Sequence, residues 1–597
     1  MSKVAGIEHG QRRLNGTQTT GRDYRGLSEP VHTVSRTDDV PVQLRDGTTL
    51  LADLFRPEGE GRFPALIAFS PYPRDMQDLG APMGFIEAGA TDFFVPRGYA
   101  QLIVNARGTS GSEGTWTLFD ETERHDLYDV VEWAAAQPWC DGNVGMIGIS
   151  YFAMAQLEAA VEKPPHLKAI FPVATTNDVY EACWHHGLLN IGFIQPWLST
   201  VGVLAAKSER LWHGPLMNTL RAVLNTPLVH KRIEHFNGEA IVAVMRTLIR
   251  AQPAEEPYGR IWREVSEEHP LRDGYWRSRE LQSRLGEIDI PVYLGCDWDN
   301  VPLHLPSTFT SWEALRGNPN VRMSLMLPGG LSWPWESLHY EALAWYDHWL
   351  KGVDTGILEG EPIRYQIPGH PDQGWFSSGE WPPANAELTD FSLCADGTLL
   401  AAGATGFALA ERDPEAGGSR SYAYVPDGAE PPRGEEGLPD HLVWDTPDAM
   451  EPLDIVGDIE LELAAASTAE DTAWIAALFA VDERGHEQPV TAGWLRASHR
   501  TVDEAASRPG APVLRDEEAV PVPPGETVVY RIPLVPNARH LEPGQRLRLV
   551  LASADQAEGG EPPHEGLAFL GFTHRPLPEA AVNTVFDRSR LRLPILR

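Results

Sequence analysis

Cysteine is scarce in this chain. The 597 residues include only Cys140, Cys183, Cys296 and Cys394, which lie far apart. No pair has the CxxC or Cys/His spacing of a zinc site, and disulfide-stabilised secreted domains are richer in cysteine. The scarcity excludes a disulfide framework, predicts no metal site of this kind and favours a cytoplasmic protein.

Long apolar runs and basic residues are also in short supply. No run of about 18 apolar residues occurs, and the opening MSKVAGIEHGQRRLNGTQTT lacks the apolar stretch of a signal peptide. The 49 Lys and Arg face 84 Asp and Glu, a formal net charge of -35 at pH 7. Such a charge repels phosphate backbones and anionic lipids, so we expect no nucleic-acid and no membrane partner.

What the chain does contain is typical of a large globular protein. Hydrophobic residues make up 42%, with 54 glycines and 50 prolines to punctuate them. A single core stops growing well below this length, so two to four domains are expected.

The first part of the chain reads as strands and a helix in alternation. Asp46-Gly47 lies between two alternating runs, as in a hairpin. FPALIAFSPY and YAQLIVNARG are apolar runs typical of buried parallel strands. ERHDLYDVVEWAAAQPW has apolar residues at helical spacing and precedes the short strand VGMIG. This order predicts a parallel sheet flanked by helices.

The pattern then changes twice. Helical segments interrupt the sheet before PVYLGCDWDN and VRMSLMLPGG resume strand character, and short alternating runs with Pro/Gly turns follow the helix YDHWLKG. Open α/β sheets bind ligands beyond the carboxyl ends of their strands, where a helical insertion can form a cap. The predicted organisation is a flexible N-terminal arm (1–30), an α/β core (31–176), a helical cap (177–284), the rest of the core (285–357) and a C-terminal β sandwich (358–597).

A serine on a sharp turn is the first candidate for catalysis. Ser150, in GIS, lies between the strand VGMIG and the helical segment YFAMAQLEAAVE. A serine on a strand-to-helix turn is exposed above the sheet, with a helix N-terminus facing any oxyanion that develops beside it. The strict G-x-S-x-G pattern is absent because Phe152 occupies its last position.

A family resemblance follows from these residues. GNVGMIGISYFAMAQ resembles the Gly-x-Ser-Tyr-x-Gly turn of the cocaine esterase, X-Pro dipeptidyl-peptidase and α-amino-acid ester hydrolase group, the CocE/NonD hydrolases, with Ala153 in place of the last glycine. The resemblance spans roughly residues 35 to 555 and includes, in order, DGTTLLADLFRP, FSPYPRD, ARGTSGSEG, EWAAAQPWCDGNVGM, WYDHWLKG, GWLRASHR and PGQRLRLVLAS.

The resemblance implies a fold and part of a site. The fold is an α/β-hydrolase core with an inserted helical cap and a C-terminal jelly roll. The nucleophile is Ser150, and the oxyanion hole combines the backbone N–H of Tyr151 with the hydroxyl of Tyr72. A phenol donates one hydrogen bond in a fixed direction, so this role is physically reasonable.

The resemblance also implies a catalytic aspartate after the next-to-last core strand. PVYLGCDWDN offers Asp297 and Asp299, and the group places its aspartate at or just after a tryptophan, which favours Asp299. Its task is to orient an imidazole and to stabilise the charged form of that ring.

The general base is the open question. The family has a histidine shortly after the last core strand, but Ser332 stands there in LPGGLSWPWESLHYEAL. A serine accepts no proton near neutral pH. His339, nearest in sequence, is the candidate base, although it borders an apolar helical stripe.

Two further explanations stay open for the base. Another histidine, such as His185, His186 or His304, supplies the proton acceptor. Alternatively, the chain has exchanged hydrolysis for another acyl chemistry or for ligand binding, because a triad without its base loses most of its rate.

The expected function is that of a cytoplasmic serine hydrolase. It cleaves an ester or amide of a small molecule or short peptide through an acyl-enzyme on Ser150, with no cofactor and no metal. A homo-oligomer is compatible with the sequence. The alternative is a non-hydrolytic acyl-transfer or cyclising enzyme, or a ligand-binding protein, on the same scaffold.

Overall fold

The computed structural model describes most of the chain. The described residues are 19–77, 86–205, 219, 222–223, 226, 255–329, 338–401, 406–407, 417–556, 563–564, 566–568 and 572–597.

The first part of the chain forms six strands of a large sheet. They are β1 (Val34–Gln43), β2 (Thr49–Pro57), β3 (Phe63–Ser70), β4 (Ala100–Asn105), β5 (Cys140–Met146) and β6 (Leu167–Ile170). β1 and β2 form the antiparallel hairpin predicted around Asp46-Gly47, whereas β4, β3, β5 and β6 run parallel. The apolar runs are parallel strands because both faces of the sheet are covered.

Helices pack against this sheet. They are α1 (Thr91–Phe94), α2 (Glu121–Ala135) and α3 (Tyr151–Val161), with 3-10 turns at Arg74–Met76 and Val95–Arg97. α2 begins after Asp120, whose carboxylate accepts hydrogen bonds from the Thr122 and Glu123 backbone N–H groups. This cap satisfies donors that lack partners within the helix.

The predicted cap region, residues 177–284, is mostly helical where it is described. It contains α4 (Val179–Cys183), β7 (Trp184–His185), β8 (Leu188–Leu189), α5 (Ile191–Ala205), α6 (Tyr258–Arg263), a π turn (Glu264–Glu268) and α7 (Gly274–Arg277). The short antiparallel pair β7–β8 was not predicted, because two-residue strands have no periodicity to detect.

The sheet resumes after the cap. Its remaining elements are a 3-10 turn (Leu285–Glu287), β9 (Val292–Asp297), α8 (Leu305–Ala314), β10 (Val321–Met326), α9 (His339–Lys351), β11 (Ile363–Tyr365) and β12 (Phe376–Ser378). The strand order is β1-β2-β4-β3-β5-β6-β9-β10-β11-β12. β11 and β12, which follow the predicted boundary at residue 357, extend the first sheet.

The C-terminal part is an antiparallel β structure. Its strands are β13 (Ala386–Leu393), β14 (Leu399–Ala401), β15 (Ser419–Tyr424), β16 (His441–Asp445), β17 (Leu453–Ser467), β18 (Ala473–Val481), β19 (Glu487–Arg496), β20 (Val528–Leu541), β21 (Arg546–Ala552), β22 (Ala581–Phe586) and β23 (Arg590–Leu596), with a 3-10 turn at Ala497–His499. Two sheets enclose a core of their own, so the predicted α/β core with a C-terminal β sandwich is confirmed.

Strand β18 joins the two parts of the molecule. Trp474 and Leu478 point into the sandwich core, whereas Ile475 and Phe479, on the opposite face, belong to the core that also contains the large sheet. Successive side chains of a strand alternate between faces, so a strand between two cores is apolar throughout. AWIAALFAV has this composition and is buried along its whole length.

Part of the predicted N-terminal arm, residues 1–30, contacts the core. The Thr20 backbone N–H donates to the Glu341 carboxylate at 2.9 Å, and the Ser28 hydroxyl donates to Asp347 at 2.7 Å. Both acceptors lie on α9. Residues 19–30 therefore make polar contacts with the core, which an apolar pattern in the sequence could not reveal. Residues 1–18 lie outside the described part.

In the described part of the chain, no helix is both long enough and apolar enough to cross a bilayer.

Shortening Leu478 tests the sandwich core. Leu478 is fully buried, so Leu478→Ala should lower the free energy of unfolding by about 2–5 kcal/mol through the lost burial and the remaining cavity. The matched control Val529→Ala, at a side chain that is 55% exposed, should change it by less than about 0.5 kcal/mol. Denaturant unfolding monitored by tryptophan fluorescence measures both; equal effects would contradict this assignment of the core.

Candidate active site

Ser150 lies on a strained turn between β5 and α3. Its backbone has φ 57° and ψ -123°, a conformation that non-glycine residues rarely adopt and that costs roughly 1–3 kcal/mol. Its N–H donates to the Ala174 carbonyl at 3.0 Å. Gly148 is required nearby, because a Cβ there would lie 2.4 Å from that of Phe152. The turn raises the serine above the carboxyl end of the sheet.

His304 is the histidine that reaches this serine. Its Nε2 lies 3.1 Å from Ser150 Oγ. Its Nδ1 lies 3.0 Å from Thr176 Oγ1, and the ring is also hydrogen-bonded to the Thr175 backbone. For Nε2 to accept a proton from Ser150, the neutral ring has to have its own proton on Nδ1, the nitrogen that faces Thr176.

The three contributors to this contact come from neighbouring strands. Ser150 follows β5, Thr176 follows β6, and His304 follows β9 and precedes α8. β5, β6 and β9 are consecutive in the sheet and parallel, so their carboxyl ends meet at one edge. Residues distant in sequence are thereby brought within hydrogen-bond reach.

The environment of His304 keeps the ring neutral. The side chain is almost completely buried, and burial lowers its pKa from 6.5 to about 3. Among the described residues its ring partners are Ser150, Thr176 and Thr175, none of which is a carboxylate. Desolvation of the charged form therefore dominates, with no counter-ion to offset it.

The structure places the two candidate acids elsewhere. Both carboxylate oxygens of Asp299 lie 3.1 Å from the Gly329 backbone N–H, which ties the loop after β9 to the loop after β10. Asp297 is the last residue of β9 and is buried. The side chain that does support His304 from this loop is Asn300, whose oxygen accepts from the His304 backbone N–H at 3.1 Å.

His339 lies in an aromatic cluster. It is fully buried at the start of α9, stacked on Phe93 with ring centroids 4.7 Å apart and edge-on to Phe94 at 5.8 Å. It is not among the described residues that line the cavity at Ser150. Ser332, where the family pattern has its histidine, lies outside the described residues.

The two histidines predicted as alternatives in the cap pair with other groups. His185 Nδ1 lies 2.6 Å from His574 Nε2, and His186 Nδ1 lies 2.8 Å from Asp516. Of the histidines considered from the sequence, His304 is therefore the one that the structure brings to Ser150.

Tyr72 has the geometry of an oxyanion donor. Its hydroxyl accepts a hydrogen bond from Trp197 Nε1 at 3.0 Å and is also hydrogen-bonded to the Ser150 side chain. Burial raises the phenol pKa well above 10, so the hydroxyl stays protonated. With one lone pair occupied by Trp197, its proton can be directed at an oxygen beside Ser150.

Tyr151 contributes through its backbone. It is the first residue of α3, and the opening N–H groups of a helix have no intrahelical partner. Its phenol is held away from Ser150, because it donates to Glu123 at 2.6 Å and accepts from Trp116 at 3.0 Å. Burial raises the pKa of Glu123 to about 8.

An apolar cavity opens on Ser150. The core supplies Phe119, Tyr151 and Met154, and α5 of the cap supplies Phe193, Trp197 and Leu198. Among the described lining residues none has a formal charge at neutral pH, since His304 is held neutral. The cavity suits an uncharged apolar or aromatic group.

One cluster of described residues has the composition of a metal site. His370, Asp454 and His540 place potential ligand atoms within 4.8 Å of one another. His540 Nδ1 lies 2.7 Å from Asp454, and the Asp372 N–H points to His370 Nδ1. Protein hydrogen bonds thus use the Nδ1 atoms of both histidines, and none of the three residues is among the described residues that line the Ser150 cavity.

Thr176 and Trp197 acquire roles that the sequence analysis did not assign. Thr176 follows a buried parallel strand, a position that is often functional in an α/β sheet. This position could have identified Thr176 from the sequence. The hydrogen bond of Trp197 to Tyr72 has no counterpart in sequence spacing.

Comparisons with known proteins agree with this architecture. Residues 46–330 match the family model of X-Pro dipeptidyl-peptidase (S15 family), and residues 357–585 match its C-terminal non-catalytic domain. The cocaine esterase of Rhodococcus sp. (strain MB1 Bresler) is 27% identical over 505 residues, 77% of this chain and 83% of that protein.

Solved structures share the fold over nearly the whole chain. A CocE/NonD family hydrolase from Staphylococcus aureus superposes with a TM-score of 0.72 at 22% identity, covering 94% of each chain. An α-amino acid ester hydrolase gives 0.66 at 17% identity, covering 96% of this chain and 98% of that one. With both halves of its length matched, the chain belongs to the CocE/NonD hydrolases, the group that includes the S15 X-Pro dipeptidyl-peptidases.

Proposed function

We propose that this protein is a serine esterase that cleaves esters with a neutral, apolar or aromatic acyl group. Ser150 is the nucleophile, His304 is the general base, and Tyr72 with the Tyr151 N–H forms the oxyanion hole. The observation that supports this most directly is the 3.1 Å contact between Ser150 Oγ and His304 Nε2.

The first half-reaction is acylation. His304 Nε2 accepts the Ser150 proton as Oγ bonds to the ester carbonyl carbon. The carbonyl oxygen becomes an oxyanion that accepts hydrogen bonds from the Tyr72 hydroxyl and the Tyr151 N–H. When the intermediate collapses, His304 returns the proton to the leaving alkoxide, and the acyl group stays on Ser150.

Deacylation repeats these steps with water. His304 accepts a proton from the water, whose oxygen attacks the acyl carbon, and the proton then returns to Ser150. Throughout, a bond from Nδ1–H to Thr176 Oγ1 keeps the ring in the tautomer that presents Nε2.

The electrostatics favour esters over amides. The imidazolium formed in each step has a hydroxyl and a carbonyl beside it instead of a carboxylate, so it is stabilised less than in a triad that contains an acid. An alkoxide leaving group depends less on protonation by a general acid than an amine leaving group does. Ester chemistry is therefore the less demanding task for this base.

The cavity favours an uncharged substrate. Among the described lining residues there is no carboxylate to pair with a substrate ammonium group, as a dipeptidyl-peptidase or an α-amino acid ester hydrolase would require. No observation favours a non-hydrolytic role. The four buried cysteines, none of which is in a disulfide, support a cytoplasmic location.

Replacing two buried histidines, one at a time, tests which of them is the general base. His304→Ala should lower kcat for a p-nitrophenyl ester by about 10⁴-fold or more, near the Ser150→Ala background, because the members of such a unit act together. The matched control His339→Phe replaces another fully buried ring and should keep kcat within about threefold. Stopped-flow release of p-nitrophenol measures both; activity in His304→Ala together with its loss in His339→Phe would reverse the assignment.

The pH dependence tests the electrostatics. A buried histidine with a pKa of about 3 stays able to accept a proton at all higher pH values, and its function is lost only as pH falls through about 3. The plot of kcat/KM for a neutral ester should therefore have no inflection between pH 5 and 8. A fall below pH 6.5 that follows one ionisation would instead indicate an imidazole with an ordinary pKa.

Two acyl groups of nearly equal shape test the substrate class. A phenylacetyl ester and the corresponding phenylglycyl ester differ by an α-ammonium group, whose burial without a partner is costly. The phenylacetyl ester should have a kcat/KM at least about 100-fold higher, measured with the same p-nitrophenyl leaving group. Preference for the phenylglycyl ester, or turnover of a Gly-Pro anilide at a similar rate, would contradict the proposed class.

A further inference from the structure

A buried chain of hydrogen bonds runs from the C-terminal domain to the loop that holds His304. The Asp555 carboxylate lies 2.6 Å from His574 Nδ1, and His574 Nε2 lies 2.6 Å from His185 Nδ1. The other side of the His185 ring donates to the Pro302 backbone carbonyl. Pro302 lies two residues before His304.

The chain is closed to solvent. His185 is 9% exposed, His574 3% and Asp555 1%. Trp494 stacks on the His185 ring at 4.5 Å and tilts against His574 at 5.5 Å. Buried polar atoms have to be paired to avoid a large desolvation cost, so the proton positions in the chain are restricted.

Hydrogen-bond counting assigns these protons. The Pro302 carbonyl accepts, so His185 has its proton on Nε2 and an Nδ1 lone pair. His574 must then donate from Nε2 to His185. His574 Nδ1 then faces Asp555 in the short 2.6 Å contact, so the Asp555 carboxyl group orients the ring whose Nε2 meets His185.

The charges around His185 agree with this assignment. Burial, and next the charge of His574, lower the pKa of His185 well below 6.5. Asp555 is held in place by a second bond, since its other oxygen accepts from the His574 backbone N–H at 3.0 Å. A neutral His185 is therefore a permanent donor to Pro302.

The same C-terminal domain also holds the other end of this loop. Asn537, on β20, donates from its side chain to the Trp298 backbone carbonyl at 3.0 Å. The segment around His574 is tied to the cap as well, because the Gly192 N–H donates to the Thr573 carbonyl and the Arg575 N–H to the Leu189 carbonyl, each at 2.9 Å. The loop from Trp298 to Pro302 is thus fixed at both ends from outside the core.

We infer that His185, His574 and Asp555 are positioning residues for the general base, and that they hold the Pro302–His304 turn so that His304 Nε2 stays at Ser150. The inference rests on the proposed function of His304. It gives the C-terminal domain a part in catalysis without contact to substrate. The carboxylate acts through two imidazoles and a backbone carbonyl instead of touching the base directly.

The test replaces the donor to Pro302. His185→Phe keeps a ring against Trp494 but removes that donor, and a misplacement of the base by about 1 Å can cost about 100-fold. We expect kcat for a phenylacetyl ester to fall by about 10- to 100-fold with KM within about threefold. His185→Gln, whose amide N–H can reach the same carbonyl, should restore kcat to within about threefold of the parent.

A second pair of variants probes the carboxylate. In Asp555→Asn the amide can donate to His574 Nδ1, which leaves His574 neutral with its proton on Nε2, so the bond to His185 persists and kcat should change by less than about threefold. Asp555→Ala removes that partner and should lower kcat by about tenfold. The control His540→Phe removes another buried imidazole–carboxylate contact of the same domain, with Asp454, and should leave kcat unchanged.

The outcomes separate this inference from the proposed function. If His304→Ala abolishes turnover and His185→Phe keeps the parental kcat, the positioning role is overturned and the base assignment stands. Equal losses in His185→Phe and His185→Gln would also overturn it, since a packing role gives no rescue. If His304→Ala keeps its activity, the proposed base itself is wrong. Unfolding midpoints of all variants identify any loss caused by misfolding.

Discussion

The hydrogen bond between Ser150 Oγ and His304 Nε2 depends on the order of three parallel strands. Ser150 leaves β5 on a strained turn, Thr176 follows β6, and His304 ends the loop after β9. Only because these strands are neighbours do their carboxyl ends bring the proposed nucleophile, the proposed base and the Thr176 hydroxyl to one point. The sheet thus positions Ser150 and His304 relative to each other, and the strained backbone of the Ser150 turn lowers the stability of the fold.

Around this contact the site uses neutral hydrogen bonds in place of an ion pair. Among the described residues, His304 is bonded to Thr176 and to the Thr175 backbone, and neither is a counter-ion for the charged ring. Tyr72 is likewise neutral and is oriented by Trp197. An apolar cavity and a neutral base are mutually consistent. A buried apolar site disfavours a charged substrate, and for the same reason it disfavours the charged form of the His304 ring. The same burial explains why the proposed substrate is an uncharged ester.

The C-terminal sandwich extends the site's support into a second domain. β18 packs one face into the sandwich core and the other against the core of the large sheet, so the domains share an apolar interface. Across it, Asn537 and the His574–His185 chain reach the backbone of the loop that ends at His304. Apolar burial brings the domains together, while a few buried polar bonds determine the exact position of the loop.

Periodicity and local motifs were sufficient to predict the α/β core, the β sandwich and the turn at Ser150, because strands, helices and tight turns depend mainly on neighbouring residues. They were not sufficient for the base. His339 was selected for its nearness in sequence to Ser332, yet its ring stacks on Phe93, and Asp299 binds the Gly329 N–H. His304 was one histidine among several, and no spacing connects it with Ser150, 154 positions earlier. The amino-acid sequence by itself determined the fold and the turn that carries Ser150, whereas the tertiary structure decided which imidazole meets Ser150, because strand order in a sheet is set by long-range packing.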